Sequence, residues 1–229
     1  MPERTVCITQ ARMTSSRLRG KVLKTVGGRT LLDHHIERLK AIKGIDEIII
    51  ATTDNNADDA IVALAHDLEV SVFRGDEHDV LGRFYHAAML AQATTVLRVT
   101  SDCPLLDPSL HSELVSRMKD DQSLDGGSID INSYCRGLDG EIFRMVMLED
   151  AYKRSTKGDE REHVTKYFYN NIDRYKWFEV TNSAMDLGAF RLCVDTLKDF
   201  HLAEKTLMKL GTHNKNFSWR ETINSVAFD

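Results

Sequence analysis

Short apolar runs alternate with longer runs of helical period through the first two-thirds of the chain. Thr5–Gln10 is a predicted first strand. Thr30 is placed to cap a helix that runs to Lys43, with Asp33 in its first turn and Gly44 as its stop. Glu47–Thr53 follows as a second strand, and its unbroken Ile48-Ile49-Ile50 suits a sheet covered on both faces. A helix over Asp58–Leu68, a short strand over Val70–Phe73, a helix over Asp79–Gln92 and a strand over Thr95–Thr100 continue the alternation. Asp107-Pro108 then opens a helix with a cap and a first-turn proline.

Strands separated by helices of this length predict an α/β fold with a mostly parallel, doubly wound sheet, in which ligands bind beyond the carboxyl ends of the strands. After Gln122 the rhythm changes. Asp125-Gly126-Gly127 reads as a loop, and Ile129–Tyr134 and Glu141–Met145 as shorter strands separated by Gly137 and Gly140. A helix near Arg161–Asn171, strands near Trp177–Val180 and Phe190–Val194, and closing helices over Leu197–Leu210 and Ser218–Val226 complete the prediction. No repeat or linker interrupts it. One domain is expected, with a main part over about 1–122 and a smaller lobe with the closing helices over about 123–229.

Composition narrows the class. The chain has 229 residues, of which 42% are hydrophobic and 28% charged, a globular balance. No apolar run approaches the roughly 20 residues of a membrane-spanning helix, and Met1–Thr5 carries no apolar stretch of a secretory signal. Neither a membrane nor a nucleic acid is an expected partner, since the net charge of −5 opposes an extended phosphate-binding face. The four cysteines form no C-x-x-C pair, and Cys7 and Cys193, inside apolar segments, read as buried free thiols in a reducing compartment, so the expected location is cytoplasmic.

Charge is unevenly spread, and this bears on chemistry. Between Glu3 and Asp33 there is no acidic residue, while Arg4, Arg12, Arg17, Arg19, Lys21, Lys24 and Arg29 all fall there. The segment Ala11–Leu23 follows the first strand, at the sheet edge where ligands bind. Its Ser15, Ser16 and Gly20 allow tight turns, and Arg12, Arg17 and Lys21 supply cations, a combination suited to a polyphosphate. A solvated basic loop is the alternative. The segment is neither G-x-x-x-x-G-K-[ST] nor G-x-G-x-x-G. Asp102 and Asp195 each end an apolar run, where they make a candidate pair for Mg²⁺; helix capping is the competing role. His34 and His35 do not share a helix face and read as structural, and Cys103, beside Asp102, reads as packing.

These segments, taken in order, resemble the sugar-acid cytidylyltransferases, the family of CMP-Kdo and CMP-sialate synthetases, and within it most closely the spore coat polysaccharide biosynthesis branch. The run Gln10–Leu23, Ala51–Asp54, Phe73–Gly75, Asp79–Arg83, Arg98–Thr100, Asp102–Leu105, Gly137–Asp139, Arg161–Thr165, Val194–Thr196 and Phe217–Trp219 carry the likeness. It implies a nucleotide-diphospho-sugar transferase fold, Rossmann-like and GT-A-like, with CTP along the strand ends and an acidic or unusual sugar beneath the smaller lobe. By the same likeness Arg12, Ser15, Arg17 and Lys21 match the triphosphate loop, Ala11, Arg12 and the Thr53-Asp54 turn the base and ribose region, and Asp102 and Asp195 the two Mg²⁺ ligands. Asp139, Arg161 and His163 would face the sugar. The resemblance leaves room for a homodimer. Arg19, Ser101, Lys166 and Gly140 depart from the family pattern, the last two on the sugar side. The rival readings are a glycosyltransferase, for which only the imperfect D-x-D of Asp130-Ile131-Asn132 speaks, and a nucleotide-binding protein without turnover.

Overall fold

The computed structural model describes residues 3–156, 158–183 and 187–227. The start of the N-terminal stretch, Met1 and Pro2, lies outside them. The strands are β1 (Thr5–Gln10), β2 (Thr25–Val26), β3 (Arg29–Thr30), β4 (Glu47–Thr53), β5 (Ser71–Gly75), β6 (Thr95–Thr100), β7 (Gly126–Ile129), β8 (Glu141–Arg144) and β9 (Trp177–Val180). The α-helices are α1 (Leu31–Lys40), α2 (Asp59–Asp67), α3 (Val80–Leu90), α4 (Pro108–Asp120), α5 (Met145–Arg154), α6 (Gly158–Glu162), α7 (Lys166–Asn170), α8 (Leu197–Leu210) and α9 (Trp219–Ala227).

Seven strands form one sheet in the order β5-β4-β1-β6-β8-β7-β9, and a separate two-stranded ribbon pairs β2 with β3. All neighbours in the large sheet are parallel except β8, which runs against both β6 and β7. The second half of the chain therefore extends the sheet of the first. Period two sorts the strand side chains to opposite faces. Cys7, Ile50 and Leu97 join the core packed under α1, α2, α4, α8 and α9, while Val6, Ile8, Ile49 and Val96 join a second core under α3, α5 and α7. Burial on both faces is why the Ile48–Ile50 run carries no polar alternation.

Several elements depart from the sequence expectation. Gly126 and Gly127 lie in β7 rather than in a loop, because Trp177 and Phe178 of β9 cover them and a Cβ at either position would collide with those rings. Ile129–Tyr134 is not a strand. The ladder ends at Ile129, and Asp130 turns the chain by accepting the amide of Asn132 at 2.9 Å. The expected helix over Arg161–Asn171 is two short helices, α6 and α7, broken at His163–Thr165. Phe190–Val194 is extended coil with a single bridge from Arg191 to Arg136. Helix α5 and the β2–β3 ribbon were not anticipated.

Candidate active site

The segment after β1 leaves the sheet edge and returns as a closed loop. Gly20 donates its amide to the Met13 carbonyl at 3.0 Å, and its φ of 66° starts a turn of 3-10 helix over Lys21–Leu23. That left-handed conformation favours glycine. Asp58, fully buried, holds the far side of the loop. Its carboxylate accepts the Met13 amide at 2.7 Å and the Thr53 amide at 3.2 Å, and it is also bonded by the Thr53 hydroxyl. Sequence reasoning placed Asp58 only at the start of a helix. The missed signal is an aspartate a few residues beyond the strand end Thr52-Thr53, where loop amides need an acceptor.

Lys21 stands at the centre of what the loop delivers. Its ammonium donates to Asp102 Oδ2 at 2.8 Å, to Asp195 Oδ1 at 2.9 Å and to the Val194 carbonyl at 2.8 Å. Asp102 follows β6, and Asp195 follows a stretch tied to it by the Val194 amide, which donates to the Asp102 carbonyl at 2.8 Å. Two aspartates distant in sequence thus flank one cation. Asp195 carries further charge: Arg17 reaches Oδ1 at 2.9 Å and Arg191 bonds Oδ2. Burial pushes the Asp102 carboxyl up, but the Lys21 ammonium outweighs it and holds the group below the usual carboxylate range. Burial likewise opposes the Lys21 charge, and Asp102 with Asp195 reverses that, raising its pKa. Neither aspartate caps a helix: α8 is capped by Thr196 in a box with Asp199, and α4 by Asp107.

Two cavities meet at this centre. One, of about 440 Å³, is walled by Ala11, Arg12, Ser15, Arg17, Lys21 and His163, with Arg83 and Arg98 behind. The other, of about 420 Å³, is lined by Ser128, Asp139, Glu141, Tyr169, Glu179 and Arg191. Thr100, Asp102, Arg136 and Asp195 line both. Among the described residues the exposed Arg136 makes no ion pair, so its guanidinium stands open at the junction; no sequence motif singled it out. The second cavity is floored by Glu141, Ser128 and Glu179, which stand in register across three strands, and Arg98 of β6 continues the row toward the first cavity. Arg98 grips both Glu141 oxygens, at 3.1 and 2.8 Å, and the same carboxylate accepts the Thr165 hydroxyl at 3.1 Å.

Not every expected residue gathers here. Thr53 is buried with its hydroxyl committed to Asp58, and Asp54 is exposed; neither lines a cavity. Arg161 lies outside both cavities, with its guanidinium 3.1 Å from Asp79 and 3.0 Å from the Tyr152 carbonyl. Asp139 does line a cavity, though one oxygen accepts the Gly137 amide at 2.6 Å. Arg12 lines the first cavity with its guanidinium 3.6 Å from Glu77. Asp130 spends its carboxylate on Asn132, at 2.9 Å from the amide and 3.0 Å from the side-chain nitrogen, as a turn requires. Around the site, buried His35 bonds the Thr9 hydroxyl and the Cys103 carbonyl, each at 3.0 Å, which steadies the segment after Asp102. His34 contacts the Val26 carbonyl at 3.1 Å, so both histidines are structural. Burial first, then Asp102, raises the Cys103 thiol well above its ordinary value, which removes it as a nucleophile. His111, also fully buried, reaches the Asp107 carbonyl at 2.8 Å and packs where a Cβ on Gly140 would stand, which accounts for glycine there.

The cytidylyltransferase family model matches residues 6–217. The chain is 39% identical over 196 residues to an uncharacterized protein of Methanocaldococcus jannaschii, covering 85% of this chain and 79% of that one. It is 32% identical over 210 residues to the spore coat polysaccharide biosynthesis protein SpsF of Bacillus subtilis, covering 89% and 86%. The structure of a cytidylyltransferase from Leptospira borgpetersenii superposes with a TM-score of 0.93 at 31% identity, over 99% of this chain and 94% of that one. A CMP:2-keto-3-deoxy-manno-octonic acid synthetase complexed with CTP shares the fold at a TM-score of 0.67 and 17% identity, over 90% and 99% of the chains. With the family match running from residue 6 to residue 217, through the basic loop and both aspartates, this chain belongs to the cytidylyltransferase family.

Proposed function

We propose that the chain transfers CMP from CTP to the anomeric hydroxyl of an acidic sugar, releasing pyrophosphate, for the synthesis of a cell-surface polysaccharide or glycan. The observation that carries this reading is the Lys21 ammonium held between Asp102 and Asp195 where two cavities meet. Family membership supports the cytidylyl donor. In this reading CTP occupies the cavity walled by the Arg12–Lys21 loop, with Ala11 and Arg12 toward base and ribose and the Thr53-Asp54 turn supporting that end from behind. The sugar lies in the second cavity beside Asp139, with His163 across the junction and Arg161 acting only through the packing of α6. Residues 1–122 form the nucleotide side and 123–229 the sugar side.

The residues fit a Mg²⁺ ion. Two carboxylates and the Val194 carbonyl converge on one cationic point at the junction, an all-oxygen donor set that leaves the remaining positions to water and phosphate. When bound there, Mg²⁺ would draw charge from the α-phosphate and lower the pKa of the attacking hydroxyl. The chain's own side chains do the rest. Arg12, Ser15, Arg17 and Lys21 hold the β- and γ-phosphates and stabilise the charge that gathers on departing pyrophosphate. Arg136 at the junction screens the approach of one anion to another. The Arg98–Glu141 pair keeps the floor of the sugar cavity rigid. Buried free thiols at all four cysteines support a cytoplasmic setting. The test is pyrophosphate release from CTP and Mg²⁺ across a panel of acidic sugars. Release with none of them, beside hydrolysis of a nucleotide sugar, would move the chain to the glycosyltransferases.

A further inference from the structure

We infer that Lys21 is a built-in counter-ion that holds the place of the divalent cation in the nucleotide-free protein, and that the triphosphate draws it away, so that metal binding waits for CTP. This rests on the reading of Asp102 and Asp195 as metal ligands. An ammonium has three donors, and all three are taken, by Asp102, Asp195 and the Val194 carbonyl, within 2.8 to 2.9 Å. These acceptors include one oxygen of each carboxylate proposed for the metal. The Lys21 and Asp195 side chains are only 11% and 10% exposed, so water screens little of the charge between them. A divalent ion and an ammonium compete for that space, because both need the same carboxylate oxygens and like charges at contact distance repel.

The surroundings decide which cation holds the space. Arg17 and Arg191 also stand on Asp195 in this structure, so that carboxylate does not depend on Lys21 alone for a counter-charge. Without nucleotide, a displaced Lys21 would give up three close acceptors, two of them charged. With a triphosphate beside Ser15 and Arg17, phosphate oxygens replace them, and the turn that starts at Gly20 lies next to that space. Metal and nucleotide therefore favour each other, and by linkage the coupling is reciprocal.

Electron paramagnetic resonance of free Mn²⁺ measures this directly in wild type, Lys21→Met and Lys21→Arg, each with and without CTP. Wild type should hold Mn²⁺ weakly alone and about tenfold or more tightly with CTP. Lys21→Met should bind Mn²⁺ alone about tenfold or more tightly than wild type does, with a smaller further gain from CTP than wild type shows. Lys21→Arg, which keeps the competing charge, should behave like wild type. The midpoint of thermal unfolding gives a second readout: Lys21→Met should melt lower than wild type without metal and recover with Mn²⁺. If Lys21→Met binds Mn²⁺ no better than wild type while CTP still recruits Mn²⁺ to wild type, the displacement is wrong and the metal site stands. If wild type binds no Mn²⁺ even with CTP, both fall. Lysine ammonium NMR on wild type serves where Lys21→Met does not fold. The Lys21 signal should move on adding CTP with Mg²⁺ and hold its position with Mg²⁺ alone, and an unmoved signal in the full complex overturns the proposal.

Discussion

At the scale of single residues, Asp195 gathers more charge than any neighbour, with Lys21 and Arg17 on one oxygen and Arg191 on the other. That excess of cations over carboxylates is what an incoming triphosphate would meet. Arg17→Ala and Lys21→Ala should each raise the KM for CTP or lower kcat by about tenfold or more, since a charge-assisted phosphate contact is worth roughly 1.5–3 kcal/mol. Normal kinetics in both folded variants would return the loop to a solvated surface. Asp102→Asn and Asp195→Asn should each cut turnover by orders of magnitude, and the double variant should lose little more than either alone, because both would serve one ion. Additive losses would separate their roles. Residue types and positions were legible here: a basic run without acids after a strand, and aspartates at two strand-like ends. The third cation, Arg191, and the open guanidinium of Arg136 were not, because their meaning comes from loops that only the fold brings together.

At the scale of elements, what matters is how a strand end hands its loop to the site. The segment Met13–Gly20 is held by Asp58 on one side and by the Gly20 amide on the other. Asp58→Ala leaves the Met13 and Thr53 amides without their acceptor, each at roughly 1–3 kcal/mol when buried. Urea unfolding should therefore show a loss of at least about 2 kcal/mol, with a raised KM for CTP in the folded enzyme. A change in stability alone would show that Asp58 supports the fold and not the loop. Helix α1 links to the site through His35, whose pKa burial lowers to about 4. The unfolded histidine titrates near 6.5 and so binds a proton first as pH falls. The neutral ring thus contributes its full share of stability above about 6.5, and that share is lost as pH drops toward 4. The stability gap between wild type and His35→Gln should narrow over that interval; a constant gap would mean that His35 acts by packing alone. Caps and periodicity made α1, α3, α4 and α8 readable, while α6 and α7 ran together because the break at His163–Thr165 carries neither glycine nor proline.

At the scale of the whole molecule, the sheet order places β1 and β6 side by side at the centre, so the loops after them open onto one cleft. Ligand binding there should stabilise the entire fold, more so the tighter the ligand binds at a given concentration. CTP with Mg²⁺ should raise the midpoint of thermal unfolding more than ATP, GTP or UTP at equal concentration. An equal or larger shift with GTP or UTP would defeat the choice of cytosine and leave nucleotidyl transfer in place. The alternation of strands and helices, set by local periodicity and caps, determined the α/β class, the parallel first half and the position of the basic loop before any contact was known. Only the tertiary structure decided that β8 turns against its neighbours, that Gly126 and Gly127 lie flat beneath Trp177 and Phe178, and that Asp102 and Asp195 close on the same ammonium. The division has a physical cause. Helix and strand patterns are written in residues a few positions apart, whereas a cross-strand floor, a glycine under a ring and a shared counter-ion depend on partners brought together from far along the chain.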